Sequence, residues 1–435
     1  MSAAAKLRVG DAPASDEASW LNYDPIHVRR STFLSGLSQR LHRWFRLTPS
    51  FGPDLVQQML QQTGVPAGSH VHDPFSGAGT TVIECSLLGF RSSGVEINPF
   101  LHFVNSVCLD WRFDPSVLHA EWEALGRRWQ KSSSLSLEDL SRLGVEVPPI
   151  HNVTRWWRSD VLLDLLRLKF AIRETEDARA RNLFRLAQAA VLVPDLTNVT
   201  LGRLQLHFVD KSQVEMNVWA SFSAQMASVI ADVAELMRVT NSAPAYVING
   251  DSTQAVTFDG IDEIDVVITS PPYPNRYSYV WNTRPHLYML DFISTGSEAA
   301  QIDRATIGGT WGTATSELMK GVWEPQPEVK EALRGCDLAI RAQDTLMANY
   351  VVHYFNRLSD HLKVIAPKLS GRARLAYVVG NSSIKGQYVE TDLILARLME
   401  ALVPDLSVSQ LHRFRKRHSG IDLYETVVYG TKVRS

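Results

Sequence analysis

Asp73-Pro74-Phe75-Ser76-Gly77-Ala78-Gly79-Thr80-Thr81 decides how the rest of this chain is read. His70 to Asp73 reads as a short strand, and a helix runs through Val82, Ile83 and Leu87 to Gly89, so both glycines fall in a strand-to-helix turn. Glycines there let the backbone approach a ligand, because no Cβ intervenes and positive φ is open. Such a turn also cradles phosphates, but the Lys-Ser/Thr pair of a P-loop is missing. A dinucleotide GxGxxG would need a third glycine where Thr80-Thr81-Val82 stands.

Outward from that turn, strand-like runs alternate with helical patterns, which predicts a parallel sheet with crossover helices. Phe51-Gly52-Pro53 opens a helix that ends near Gly64. Ser93-Gly94-Val95 stops at Glu96, Tyr246-Val247-Ile248 stops before Asp251, and Leu375 to Val379 stops at Gly380-Asn381. Asp265 to Ile268 leads into a second string, Thr269-Ser270-Pro271-Pro272-Tyr273. All the candidate polar groups therefore fall at carboxyl ends of strands, where open α/β sheets bind ligands. Leu406 to Phe414 and Tyr424 to Val428 read as a closing antiparallel hairpin.

Together, in this order, the two strings resemble the site-specific DNA amino-methyltransferases, whose first motif is written DPFxGxGTT. The resemblance covers residues 42–105, 246–290 and 345–430. It implies an α/β class I S-adenosylmethionine-dependent methyltransferase fold: a Rossmann-like, mostly parallel seven-stranded sheet with a C-terminal antiparallel hairpin. It implies S-adenosylmethionine as cofactor, held by Asp73, Pro74, Phe75, Ser76, Gly77, Gly79, Thr80 and Thr81. By the same resemblance Glu96 takes the ribose hydroxyls, Asp251 the adenine amino group, Ile97 and Ser252 flank the ring, and Phe51 flanks the methionine end.

The catalytic residues it implies are Ser270, Pro271, Pro272 and Tyr273. An exocyclic base amine is a poor nucleophile because its lone pair is delocalised into the ring. Acceptors that take both N–H hydrogens turn that pair out of plane, and the Ser270 hydroxyl and Pro271 carbonyl are suited to this. Pro271-Pro272 stiffens the loop, and Tyr273 would stack on a base flipped out of the duplex. No Pro-Cys pair offers the nucleophile of carbon-5 cytosine enzymes, so direct transfer is expected. In the family, Ser-Pro-Pro-Tyr goes with N4 of cytosine and Asp- or Asn-Pro-Pro-Tyr with N6 of adenine. The expectation is a cytosine-N4 DNA enzyme of a restriction-modification system; the alternatives are an adenine-N6 DNA enzyme, an RNA base-amine enzyme, or a non-catalytic recognition subunit.

The 435 residues, 45% hydrophobic and 21% charged, have the balance of a globular protein, and the net charge of -2 does not announce a nucleic-acid binder. Basic residues cluster locally: Arg29, Arg30, Arg40, Arg43 and Arg46 among aromatics, and Arg413-Phe414-Arg415-Lys416-Arg417. Nucleic-acid contacts are expected from Arg43, Arg46, Asn275, Arg276, Arg413, Arg415, Lys416 and Arg417, with double-stranded DNA as partner and a cognate restriction endonuclease as a further candidate. Three cysteines without paired spacing, and the lack of a secretory or membrane-spanning run, predict a metal-free cytoplasmic protein of a bacterial or archaeal cell. The expected divisions are a flexible tail over 1–25, methyltransferase domain over 26–109 and 244–435, and a helical insertion over 110–243. The loop-rich stretch 275–342 is the favoured target-recognition segment.

Overall fold

The computed structural model describes residues 33–47, 50–201, 205–309, 313–415 and 423–433. The expected tail, Arg29, Arg30, Lys416 and Arg417 lie outside the described residues. Seven strands make one sheet: β1 (His70–Asp73), β2 (Arg91–Glu96), β3 (Ala245–Asn249), β4 (Ile264–Thr269), β5 (Leu369–Gly380), β6 (Leu406–Arg415) and β7 (Tyr424–Lys432). Their order is β6-β7-β5-β4-β1-β2-β3. The first five pair in parallel, and β7 runs antiparallel to both β5 and β6. This is the class I methyltransferase sheet, as the sequence led one to expect.

The order places the functional cleft. After β1 the chain steps outward through β2 and β3, then returns to the other side of β1 with β4 and steps the opposite way. The crevice outside the carboxyl ends at such a switch point is the general ligand position of open α/β sheets. Register brings those ends together: Asp73 is opposite Gly94, Glu96 opposite Asn249, and Thr269 opposite Tyr377.

The strand β1 is fully buried although two of its four residues are histidines. Three of their four ring nitrogens have partners: His70 Nδ1 lies 2.9 Å from the Glu263 carbonyl, and the Ser93 hydroxyl lies 2.7 Å from His70 Nε2 and 2.8 Å from His72 Nδ1. Burial holds the His72 pKa well below its usual value. On one face of the sheet, helix α1 (Pro53–Thr63) packs Leu55, Val56 and Met59 against Val266, Ile268 and Val378. Pro53 at its first turn and Gly64 in the left-handed conformation just past its end bracket that helix.

Helices α2 (Thr80–Leu87) and α3 (Pro99–Leu109) follow β1 and β2. Six further helices precede β3: α4 (Pro115–Ser132), α5 (Leu137–Arg142), α6 (Val153–Trp156), α7 (Ser159–Arg173), α8 (Ala178–Leu192) and α9 (Val218–Leu236). A hairpin, Val199–Leu201 with Leu206–Phe208, interrupts them. Their stripes form a core, continuous with residues of α3 such as Phe100 and Val104, in which Leu165, Leu166, Phe184 and Phe222 are inaccessible. The Trp219 indole is sandwiched between Trp122 and Trp129, with ring centroids 5.4 and 5.3 Å away. A buried carboxylate fixes α9 to the N-terminal segment: Asp232 accepts from Trp44 Nε1 at 2.8 Å and from Arg43 Nε at 3.0 Å.

The stretch 275–342, expected to be loop-rich, is instead mainly helical: α10 (Tyr279–Met289), α11 (Gly296–Ala305), α12 (Thr313–Leu318), α13 (Pro327–Leu333) and α14 (Cys336–Arg341). Its glycines and polar residues punctuate short helices rather than form one long loop. Ser278 caps α10, Thr295 and Glu298 form a capping box on α11, and Pro327 starts α13. The long helix α15 (Thr345–Ile365) and α16 (Thr391–Leu402) cover the sheet on that side. Among the described residues no helix is long and apolar enough to cross a membrane.

Candidate active site

The turn after β1 is built from backbone geometry. Gly77 and Gly79 have φ of +54° and +87°, and a Cβ on Gly79 would lie 2.3 Å from Asn105 Oδ1. Asn105 of α3 is the clamp: it accepts from the Ser76 hydroxyl at 2.9 Å and donates to the Gly77 carbonyl at 2.8 Å. Nothing in the sequence singled Asn105 out, because its role depends on a crossover helix returning over the turn.

Two carboxylates face the cleft from buried positions. Asp73 Oδ1 accepts from the Phe75 amide at 3.0 Å and the Thr269 hydroxyl at 2.5 Å. Glu96 accepts from the Gly77 amide at 2.7 Å and the Asn98 amide at 2.8 Å. Burial is the main cause that raises their pKa values, Asp73 to about 6 and Glu96 to about 7, with hydrogen bonds opposing it. A pair of carboxylates in a low-dielectric cleft favours a cationic ligand. Asp251, after β3, is already engaged: Oδ1 accepts from the Thr253 amide and hydroxyl at 2.9 and 2.8 Å, and Oδ2 from Arg357 at 2.8 Å.

These residues line a single cleft, together with Pro74, Phe75, Ser76, Gly77, Thr80, Ile97, Ser252 and Phe51. Ser270 and Pro272 of the second string line the same cleft. Gly79, Thr81, Pro271 and Tyr273 do not; Gly79 shapes the turn, Thr81 is buried in the first turn of α2, and Pro271 and Tyr273 stand beside the lining residues of their loop. Sequence reading missed several of its walls: Leu47, Ser50, Asn98, Tyr279 and the segment Ala305-Thr306-Ile307. Those last residues arrive through α10 and α11, whose path is set by long-range bonds such as Ser278 to Asp303 at 2.8 Å and Asn98 to Thr283 at 2.9 Å.

The Ser270-Pro271-Pro272-Tyr273 loop is held by side chains from far along the chain. Tyr354 of α15 donates its hydroxyl to the Pro272 carbonyl at 2.7 Å, and the Tyr350 hydroxyl accepts from the Arg276 amide at 3.2 Å. The Tyr273 hydroxyl lies 2.9 Å from Glu425 Oε1 on β7 and 3.3 Å from the Ser270 hydroxyl. No hydrogen-bond donor among the described residues reaches the Pro271 carbonyl.

The basic candidates separate sharply. Two of those expected at a nucleic-acid surface pair with buried carboxylates: Arg43, whose side chain is 33% exposed, with Asp232, and Arg413 with Asp392, where Nε lies 2.7 Å from a fully buried Oδ2 and the Arg413 side chain is 10% exposed. The pairing follows from charge burial, since a carboxylate enclosed by protein demands a cation beside it. Arg46 and Arg276 are exposed, and Asn275 is half-buried with its side chain accepting from the Tyr277 amide at 3.1 Å. Arg415 is the last residue of β6.

No protein-family model matches the chain. It is similar to the type II methyltransferase M.MvaI of Kocuria varians, 23% identical over 385 residues, which spans 85% of this chain and 83% of that one. It is also similar to the type II methyltransferases M.BsoBI of Geobacillus stearothermophilus, 23% identical, and M.AvaI of Nostoc sp., 22% identical. Those matches take in 60% and 61% of this chain, and the chain spans about half of each relative, 54% and 56%. Among solved structures it overlaps TrmN from Thermus thermophilus, with a TM-score of 0.31 and 13% identity over 93% of this chain and 53% of that chain. The rRNA methyltransferase aviRa from Streptomyces viridochromogenes gives a TM-score of 0.31 and 11% identity over 91% and 92%. Strand order, rather than superposition, identifies the sheet.

Proposed function

We propose that this chain, a relative of the type II methyltransferases, transfers a methyl group from S-adenosylmethionine to the exocyclic N4 amine of cytosine in duplex DNA. One observation carries the reading: the glycine turn with its buried acids and two residues of the Ser-Pro-Pro-Tyr loop, Ser270 and Pro272, line the same cleft, although the first string begins at residue 73 and the tetrapeptide at residue 270. A donor site and an acceptor-rich loop sharing one cavity is what a direct, two-substrate displacement requires.

The lining residues suit the cofactor in charge and polarity. When bound, S-adenosylmethionine supplies an electrophilic methyl on a sulfonium and leaves as the neutral thioether. Asp73 and Glu96 offer negative charge held by amides and a hydroxyl, and Asp73 is assigned to the ammonium, Glu96 to the ribose hydroxyls. Phe51, Phe75 and Ile97 give apolar walls. Asp251 is the weakest of the assignments, since Arg357 and Thr253 already take acceptor positions on it.

Ser270 and the Pro271 carbonyl accept the two amine hydrogens of a flipped base, which localises the nitrogen lone pair. That nitrogen would be the attacking atom; the bound donor would supply the methyl and keep the carbon–sulfur bonding pair, and the surplus proton of the nitrogen would pass to water. The Pro271 carbonyl, which no donor among the described residues engages, supports its part as acceptor. Exposed Arg46 and Arg276 are candidates for phosphate contacts.

The test is to incubate the protein with S-adenosylmethionine and unmethylated duplex DNA, digest, and identify the modified nucleoside by mass spectrometry. N4-methyldeoxycytidine is expected. N6-methyldeoxyadenosine overturns the choice of base, and product on RNA but on no DNA overturns the substrate.

A further inference from the structure

We propose that Glu425 is a positioning residue for the transfer, fixing the direction of a hydrogen-bond chain through Tyr273 so that Ser270 presents lone pairs, not a proton, to the base amine. The inference rests on the reading of Ser270 as an amine acceptor, and deepens it. Glu425 stands on β7, opposite Gly380 of β5 and Phe414 of β6, and belongs to neither sequence string.

The argument is one of donor and acceptor inventory. An ionised carboxylate only accepts, so across the 2.9 Å contact the Tyr273 hydroxyl must donate to Glu425. Burial, then the nearby Glu425 charge, push the Tyr273 pKa well above its usual value, so the phenol keeps the proton it donates. With that proton committed, the phenol oxygen can meet Ser270 only as an acceptor. The Ser270 hydroxyl therefore points its own proton at Tyr273, 3.3 Å away.

What remains on Ser270 is a pair of acceptor sites, and Ser270 lines the cleft. An exocyclic amine offers hydrogens and needs acceptors. A free serine rotor would sample orientations in which its O–H meets an N–H, donor against donor. The chain removes those orientations before the base arrives, which is preorganisation rather than direct contact. The tyrosine thus has two separable parts: a ring suited to stack on the base and a hydroxyl that relays orientation from Glu425. Tyr273→Phe would keep the first and lose the second.

The experiment uses the full chain with labelled S-adenosylmethionine and duplex DNA, measuring kcat and both KM values. The wild-type protein is assayed first. If it makes no N4-methyldeoxycytidine on any DNA, the reading of the function fails and this proposal falls with it. With an active wild type, Glu425→Gln, whose amide can turn either its oxygen or its NH2 toward the phenol and so no longer fixes the direction, and Tyr273→Phe should each lower kcat roughly tenfold, below the hundredfold or more typical of losing a group that touches the reacting atoms. KM for S-adenosylmethionine and DNA should stay within about twofold of wild type, a split that loss of fold would not produce. The double variant should fall no further than the lower single one, because both break the same chain. Glu425→Asp, which keeps an accepting carboxylate, should recover part of the rate. Wild-type kcat in Glu425→Gln, a fully additive double variant, or a change confined to KM overturns the proposal. Should Glu425→Gln not fold, Tyr273→Phe decides alone, and wild-type turnover there is equally fatal.

Discussion

The two loops that meet at the cleft are held in opposite ways. The turn after β1 is fixed by its own backbone and its immediate neighbours: left-handed glycines, an amide to Asp73, an amide to Glu96 and the Asn105 clamp. The loop after β4 is fixed by side chains 74 to 152 positions away, Tyr350, Tyr354 and Glu425. A donor site assembled from backbone is preset, and its failures should appear as lost fold or lost cofactor affinity. A catalytic loop hung from remote hydroxyls should instead lose rate while the cofactor still binds.

The largest expected effect sharpens the first half of that contrast. Gly79→Ala places a Cβ at positive φ and within 2.3 Å of Asn105 Oδ1, so strain and overpacking together should destabilise the fold by about 2–4 kcal/mol. Denaturant unfolding measures it, and calorimetry should show S-adenosylmethionine binding weakened in parallel. A variant with wild-type stability and affinity would mean the turn is not preset.

Asp73→Asn comes next and involves pH. The folded-state pKa of Asp73 is raised to about 6, so the native chain binds a proton that the unfolded chain releases near 4. The ligand-free fold accordingly loses stability as pH rises from about 4 to 6, the slope being negative wherever the native state holds more protons. Glu96 extends the same trend to about 7. The amide introduced by Asp73→Asn keeps an oxygen for the Phe75 amide and the Thr269 hydroxyl, which both bond Oδ1, but carries no buried charge. At pH 8 the ligand-free variant should be more stable, on the order of 2 kcal/mol, and should bind S-adenosylmethionine at least tenfold more weakly. Thermal melts from pH 4 to 8 with and without cofactor check both signs; unchanged affinity would remove Asp73 from the donor site.

The same contrast explains what the sequence made legible. Asp73 to Thr81, Glu96 and the strand ends were readable because a turn stiffened by local backbone writes its requirements as residue types at fixed spacing. Asn105, Tyr354 and Glu425 carry no such mark, since an asparagine in a helix or a glutamate in a strand is ordinary until tertiary structure supplies its partner. The ion pairs of Arg413 and Arg43 were illegible for a related reason: a basic run shows charge but not the buried carboxylates, Asp392 and Asp232, that pair with individual members. In 275–342, glycines and aromatics suggested loop, whereas the capping residues Ser278, Thr295 and Glu298 were the better signal of short helices.

Tyr354→Phe probes the remote support of the catalytic loop. It removes the donor to the Pro272 carbonyl and should reduce stability by about 1 kcal/mol. Turnover should fall several-fold with cofactor affinity unchanged; an equal loss of S-adenosylmethionine binding would erase the distinction between the two loops.

Arg276→Ala should have the smallest effect on the fold and a selective one on substrate. The residue leaves the catalytic loop at φ +60°, is exposed, and is anchored through its amide to Tyr350, a bond that alanine keeps. If its guanidinium meets a phosphate, DNA affinity should drop a few-fold across all sequences, and the slope of log affinity against log salt should shrink by about 1. Melting temperature and cofactor affinity should stay at the wild-type values. Loss of discrimination among sequences at unchanged salt slope would instead make Arg276 a reader of bases, and would move target recognition from α10–α14 onto the catalytic loop itself.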